Sequence, residues 1–93
     1  MEKKITINPQ EYCGEDWEFY GVDTYCTPAF ISAFGSEHMR VAFVAHMLIQ
    51  ETYPDGHWDY LQTFHCDGID FWIISDCPKG KTGHITILLP SDY

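Results

Sequence analysis

The sequence is short of positive charge: five lysines and arginines stand against fourteen aspartates and glutamates, a formal charge of −9 at pH 7. That deficit disfavours direct binding to nucleic acid or to an anionic membrane and favours encounter with basic partners. No apolar run reaches the length of a membrane span, and the N-terminal MEKKITI has no apolar stretch of signal-peptide length. A cytoplasmic protein is therefore expected, its four cysteines free thiols rather than disulfides. Repeats, linkers and low-complexity segments are also missing, so residues 1–93 read as a single domain.

What the chain does have is a hairpin. WDYLQTFHCDGIDFWIIS, from Trp58 to Ser75, is two aromatic and β-branched runs joined at Asp67-Gly68. A two-residue type I′ turn needs positive φ at both positions, which Asp-Gly supplies. The turn fixes the pairing: Cys66 opposite Ile69, His65 opposite Asp70, Phe64 opposite Phe71, Thr63 opposite Trp72, Gln62 opposite Ile73 and Leu61 opposite Ile74. Alternation then sorts Tyr60, Gln62, Phe64, Cys66, Ile69, Phe71 and Ile73 onto a core face. Leu61, Thr63, His65, Asp70, Trp72 and Ile74 share the other, which is apolar for a surface that meets water. Large exposed apolar patches are uncommon on monomers, so the N-terminal segment is expected to cover this face, with a partner as the alternative cover.

The remaining segments supply edges and one main helix. KKITIN (3–8) reads as a short strand ended by Pro9, and WEFYGV (17–22) as a second extended run. Between Glu11 and Asp23 lie Glu15, Asp16 and Glu18 as well, with no base, interleaved with Tyr12, Trp17, Phe19 and Tyr20. Thr27-Pro28 starts a short helix, Thr as cap and Pro at the first helical position, and Gly35 stops it. Ser36 is expected to cap the main helix, 37–52. From Val41 to Ile49 only His46 is polar, so this helix is expected to be buried on several sides. Pro54-Asp55-Gly56 turns the chain into the hairpin. DCPKGKTG (76–83) is a polar loop, and HITILL is a last strand pairing with 71–75. The expected fold is α+β: an antiparallel sheet of three or four strands with the main helix on one face.

No residue pattern assigns a catalytic, metal or cofactor site. Gly80-Lys81-Thr82 matches the end of a phosphate-binding loop, but position 75 is Ser75 where that motif needs glycine, and a strand follows where it needs a helix. Close ligand pairs of the Cys-x-x-Cys kind do not occur; Cys77 and His84 flank one loop, but two ligands do not make a zinc site. His65 opposite Asp70 would supply a base and its orienting group, yet Cys66 lies on the other face. The pair reads as a cross-strand contact, and His46 as a core histidine. The acidic, aromatic run reads either as a solvated edge or as a row of carboxylates that occupies a groove built for phosphates.

Two segments resemble known families. Trp58-Asp59-Tyr60-Leu61-Gln62-Thr63-Phe64 and the C-terminal Leu88-Leu89-Pro90-Ser91-Asp92-Tyr93 resemble small proteins of unknown function from Gram-positive phages, plasmids and conjugative elements, which carry a YLQ-x-F strand and such an ending. Glu11-Tyr12-Cys13-Gly14 with Trp17, Phe19 and Tyr20 is similar to a segment of antirestriction proteins of the ArdB/KlcA type. Here Glu15 replaces the second glycine of that segment, and Asp23-Thr24-Tyr25 stands where Asn-Gly-Gly should follow. Both resemblances imply a mobile-element origin.

The expected function is thus a small acidic, non-enzymatic binding protein that contacts a host protein, in its specific form an inhibitor of a defence nuclease of the restriction or CRISPR kind. The expected contact residues are Leu61, His65, Asp70 and Trp72, or Glu15, Asp16, Trp17 and Glu18. The alternatives are a small Cys/His- or metal-dependent hydrolase using His65, Asp70, Cys77 or His84, and a homodimeric accessory subunit.

Overall fold

The computed structural model describes residues 4–93. In chain order these form β1 (Ile5–Ile7), β2 (Asp23–Cys26), α1 (Pro28–Phe34), α2 (His38–Thr52), β3 (Leu61–Cys66), β4 (Ile69–Ser75) and β5 (His84–Leu88). Single 3₁₀ turns occupy Gly35–Glu37 and Pro90–Asp92. The α+β class holds, but the sheet is larger than three or four strands and is not purely antiparallel. It has five strands in the order β1-β3-β4-β5-β2, and β2 runs parallel to β5 along the far edge. The expected run at 17–22 forms no strand; Trp17 makes one isolated bridge to Pro78. The strand next to it begins only at Asp23.

The hairpin forms in the expected register, all six pairs from Leu61–Ile74 to Cys66–Ile69. Asp67 and Gly68 take φ of 53° and 80°, the left-handed values that a primed two-residue turn requires. β5 pairs antiparallel with β4, Trp72 opposite Leu88 and Ser75 opposite Ile85. At the other edge β1 pairs with β3, Ile5 opposite Cys66, so residues 5–7 of the expected 3–8 strand extend the sheet; Lys3 lies outside the described residues.

Both helices pack on the face carrying Phe64, Cys66, Phe71 and Ile73. Thr27 caps α1, its Oγ1 accepting from the Phe30 N–H at 3.3 Å and donating to Asp92 Oδ2 at 2.8 Å. That clasp ties the C-terminal turn to the helix start. Ser36 does not cap α2: it lies inside the 3₁₀ turn, and the helix begins at His38 without a side-chain cap. Nor is α2 buried on several sides. Val41, Ala45 and Ile49 form its single buried stripe, while Met39, Phe43 and Met47 are 73%, 65% and 43% exposed. The reason is architectural, since a two-layer fold has nothing to pack on the outer side of its helix.

Gly83 shows how closely the chain approaches itself before β5. A Cβ placed there would stand 2.3 Å from the Asp76 carbonyl oxygen and 2.9 Å from Cys77 Cα, both main-chain atoms. Gly83→Ala must therefore move backbone where the Asp76 N–H meets His84 O at 2.8 Å. A loss of about 1–3 kcal/mol is expected from this overpacking, read as a lower urea midpoint at unchanged slope.

Candidate functional site

The second hairpin face is open. Directly paired residues share a face, so Thr6, His65 and Asp70 form one row, Thr63, Trp72 and Leu88 the next, and Leu61, Ile74, Thr86 and Tyr25 a third. The N-terminal segment covers this face only in part: β1 hydrogen-bonds at the sheet edge instead of lying across it, while residues 8–13 meet Leu61 and Thr63. The C-terminal turn also reaches it, with Tyr93 edge-on to Trp72 at 5.6 Å between ring centroids, and the Asn8 side-chain amide donates to Thr63 Oγ1 on it at 3.1 Å. Leu61, Trp72 and Ile74 remain half-buried, and Tyr25 is exposed. His65 Nδ1 and Asp70 Oδ1 pair at 2.7 Å, both exposed.

The acidic segment lies along the entrance to β3. Gln10 anchors it: the Gln10 N–H donates to Tyr53 Oη at 3.0 Å and Nε2 to His57 O at 2.9 Å. Its Oε1 accepts from the Asp59 N–H at 2.9 Å and from Gln62 Nε2 at 2.7 Å. Further along, the Trp17 N–H donates to Trp58 O at 3.1 Å and the Glu18 N–H to Cys77 O at 2.8 Å. The segment is thus threaded between residues 53–60 and the 76–79 loop.

This threading brings together residues the sequence kept apart. Pro9, Gln10, Glu11 and Cys13 line a cavity of about 280 Å³ with Asp59, Tyr60, Leu61 and Thr63. Leu61 and Thr63 belong to the open face, so the cavity sits where that face meets the acidic segment. The expected acidic set behaves differently. The Tyr12 hydroxyl donates to Asp16 Oδ1, and His57 Nδ1 lies 3.2 Å from the same oxygen. The Tyr12 hydrogen bond, with His57 and Lys79 nearby, holds the Asp16 carboxyl below its ordinary 3.8 and pushes the Tyr12 phenol up to about 12. Asp16 therefore has its partners within the chain. Trp17 is half-buried, edge-on to Tyr60 at 5.9 Å, and Glu18 is half-buried, whereas Glu15 is exposed. Tyr60, assigned to the core face by alternation, precedes β3 and is exposed.

Sequence reasoning missed Gln10, Tyr12, Cys13, His57 and Asp59 as parts of one site. The one local signal was a carboxylate between two aromatics, Trp58-Asp59-Tyr60; the rest depends on contacts more than forty positions apart. Of the groups of the hydrolase alternative, His65 and Asp70 pair with each other, but Cys77 and His84 have other partners. Cys66 is buried on the helix-covered face, the Cys77 thiol donates to Lys81 O at 3.2 Å, and His84 meets the Tyr25 ring. The described residues contain no group of three His, Cys, Asp or Glu arranged to hold a metal ion. Nor is any helix among them long and apolar enough to cross a membrane.

His46 is the one histidine set against the core. Its Nε2–H donates to Phe19 O and its ring stacks on Tyr20 at 4.2 Å. Burial pushes its pKa below the ordinary 6.5. Between the folded value and 6.5 the unfolded chain binds the extra proton, so stability present above pH 6.5 is lost as pH falls through the folded value. Asp16, also lowered, adds a loss further into acid. His46→Gln removes the first titration, and thermal melts from pH 7.5 to 5 are expected to show a flatter profile than wild type.

Comparison with family models, curated proteins and solved structures returns no match for this chain.

Proposed function

We propose that this chain is a small acidic binding protein of mobile-element origin that acts in the cytoplasm by docking its open sheet face on a basic surface of a host protein. The observation that carries the proposal is the half-buried Leu61–Trp72–Ile74 face, with no helix across it, met at Leu61 and Thr63 by Glu11 and Cys13 of the acidic segment. An apolar centre with a charged rim is the anatomy of a protein interface, and −9 of charge selects a basic partner and speeds the encounter. Leu61 and Trp72 supply the apolar contact, with His65 and Asp70 in the neighbouring row of the face and Glu15 an exposed carboxylate of the acidic segment; Trp17 and Glu18 are half-buried.

The resemblance to antirestriction proteins gives the proposal its specific form, inhibition of a host defence nuclease whose groove for phosphates the acidic surface occupies. The chain is titrated into an extract of a Gram-positive host while cleavage of unmodified plasmid DNA is followed. Cleavage is expected to fall with dose and to recover as salt is raised; cleavage unchanged at every dose removes the nuclease form.

A second reading, a homodimer, is favoured by the exposed Met39, Phe43 and Met47 stripe on α2. Sedimentation coefficients rising with concentration support it, and a strict monomer excludes it.

A further inference from the structure

We propose that the cavity between residues 9–13 and the start of β3 receives one arginine side chain of the basic partner. The inference rests on the docking function above and names the group that the site takes. Its centre is Asp59, which is 6% exposed yet lines the cavity. The Asp59 main chain is fully engaged, its N–H donating to Gln10 Oε1 at 2.9 Å and its carbonyl accepting from Gln62 Nε2 at 3.1 Å. Among the described residues no hydrogen bond or ion pair to its carboxylate is found, and its oxygens are not sealed from the cavity, unlike Gln62 Oε1, which is enclosed without a partner. A carboxylate that reaches only the confined space of a cavity, with no cation of its own chain beside it, is well placed to receive one from outside.

The rest of the cavity suits a guanidinium. Glu11 lines the same space and adds a second acidic residue to its wall, while Tyr60, Leu61 and Pro9 give apolar surface for the methylenes of the stem. A volume of about 280 Å³ exceeds what an ammonium group fills. A guanidinium offers five donors in a rigid plane, pairs with a carboxylate through two bonds and is less strongly hydrated than an ammonium, so it enters a confined site at lower cost. The half-open ring of Tyr60 adds a face on which it stacks. The other carboxylate clusters already hold internal partners, Asp16 with Tyr12 and His57, and Asp70 with His65.

The test uses the intact protein labelled with ¹⁵N and the capped peptide acetyl-Gly-Arg-Gly-amide, with its citrulline counterpart as a neutral control of nearly the same shape. Saturable shifts are expected at the amides of 10–13 and 59–63 with the arginine peptide. Affinity is expected to be at least tenfold weaker for citrulline and for Asp59→Asn, and to weaken less in Glu11→Gln at the exposed wall. Asp59→Asn is expected to melt no lower than wild type, since the carboxylate has no internal partner to lose. Equal affinity for the two peptides, shifts scattered over the acidic surface, unchanged binding by Asp59→Asn, or unfolding of that variant would overturn the proposal. Peptide binding without a host partner leaves the cavity standing and removes the docking function; a host partner without peptide binding removes the cavity proposal alone.

Discussion

Phe71→Ala is expected to cost about 3–5 kcal/mol of folding stability, the usual range for deleting a buried phenylalanine. Phe71 is fully buried in β4, the middle strand of the sheet, and three other rings meet it. Phe64 stacks on it from β3 at 5.2 Å between centroids, and Phe30 and Phe34 approach from α1 at 5.4 and 5.5 Å. Truncation opens a hole between sheet and helix, and none of the surrounding rings can close it without leaving its own contacts. For a domain with about 5–15 kcal/mol in hand, such a loss removes a large share of the total. Urea unfolding of the purified variant is the check: a midpoint within error of wild type would show that the layers do not pack through this residue.

Trp72→Ala, the next residue along, is expected to do the opposite. Alternation turns its ring to the open face, half-buried, where its ring contact is the edge of Tyr93. Its cross-strand neighbours Thr63 and Leu88 limit the stability cost to about 1 kcal/mol or less. Its effect on partner affinity should be far larger, at least about 2 kcal/mol, because a tryptophan central to an interface is commonly a dominant contact. Calorimetric titration of a purified partner and a thermal melt of the same sample separate the two effects. Unfolding of Trp72→Ala would place the ring in the core and exclude the open face as the interface.

The contrast between these neighbours was legible in the sequence, because both rest on strand alternation around a turn that fixes register locally. The Thr27-Pro28 start and Gly35 stop of α1 were legible for the same reason: capping chemistry acts within one turn of chain. What could not be read depends on distance along the chain. β2 is four residues, three of them exposed, and it exists because β5 pairs with it some sixty positions later. The outer stripe of α2 looked buried because composition records apolar residues but not the number of layers available to cover them. The cavity at Asp59 was hidden because its walls come from two distant segments joined through Gln10, a residue with no distinguishing neighbours in the sequence. The open sheet face is the intermediate case: the residues that share it follow from alternation, but of the N-terminal segment expected to cover it β1 pairs at the edge and only residues 8–13 meet it, at Leu61 and Thr63.

The central claim is that an acidic, partly apolar face engages a basic host protein. Affinity capture of the tagged chain from a Gram-positive host lysate, at low and at high salt, with mass spectrometry of the retained proteins, tests it most directly. The account predicts one stoichiometric nucleic-acid-binding protein that is retained at low salt and lost at high salt. No stoichiometric partner at low salt, or one held equally well at high salt, would contradict it.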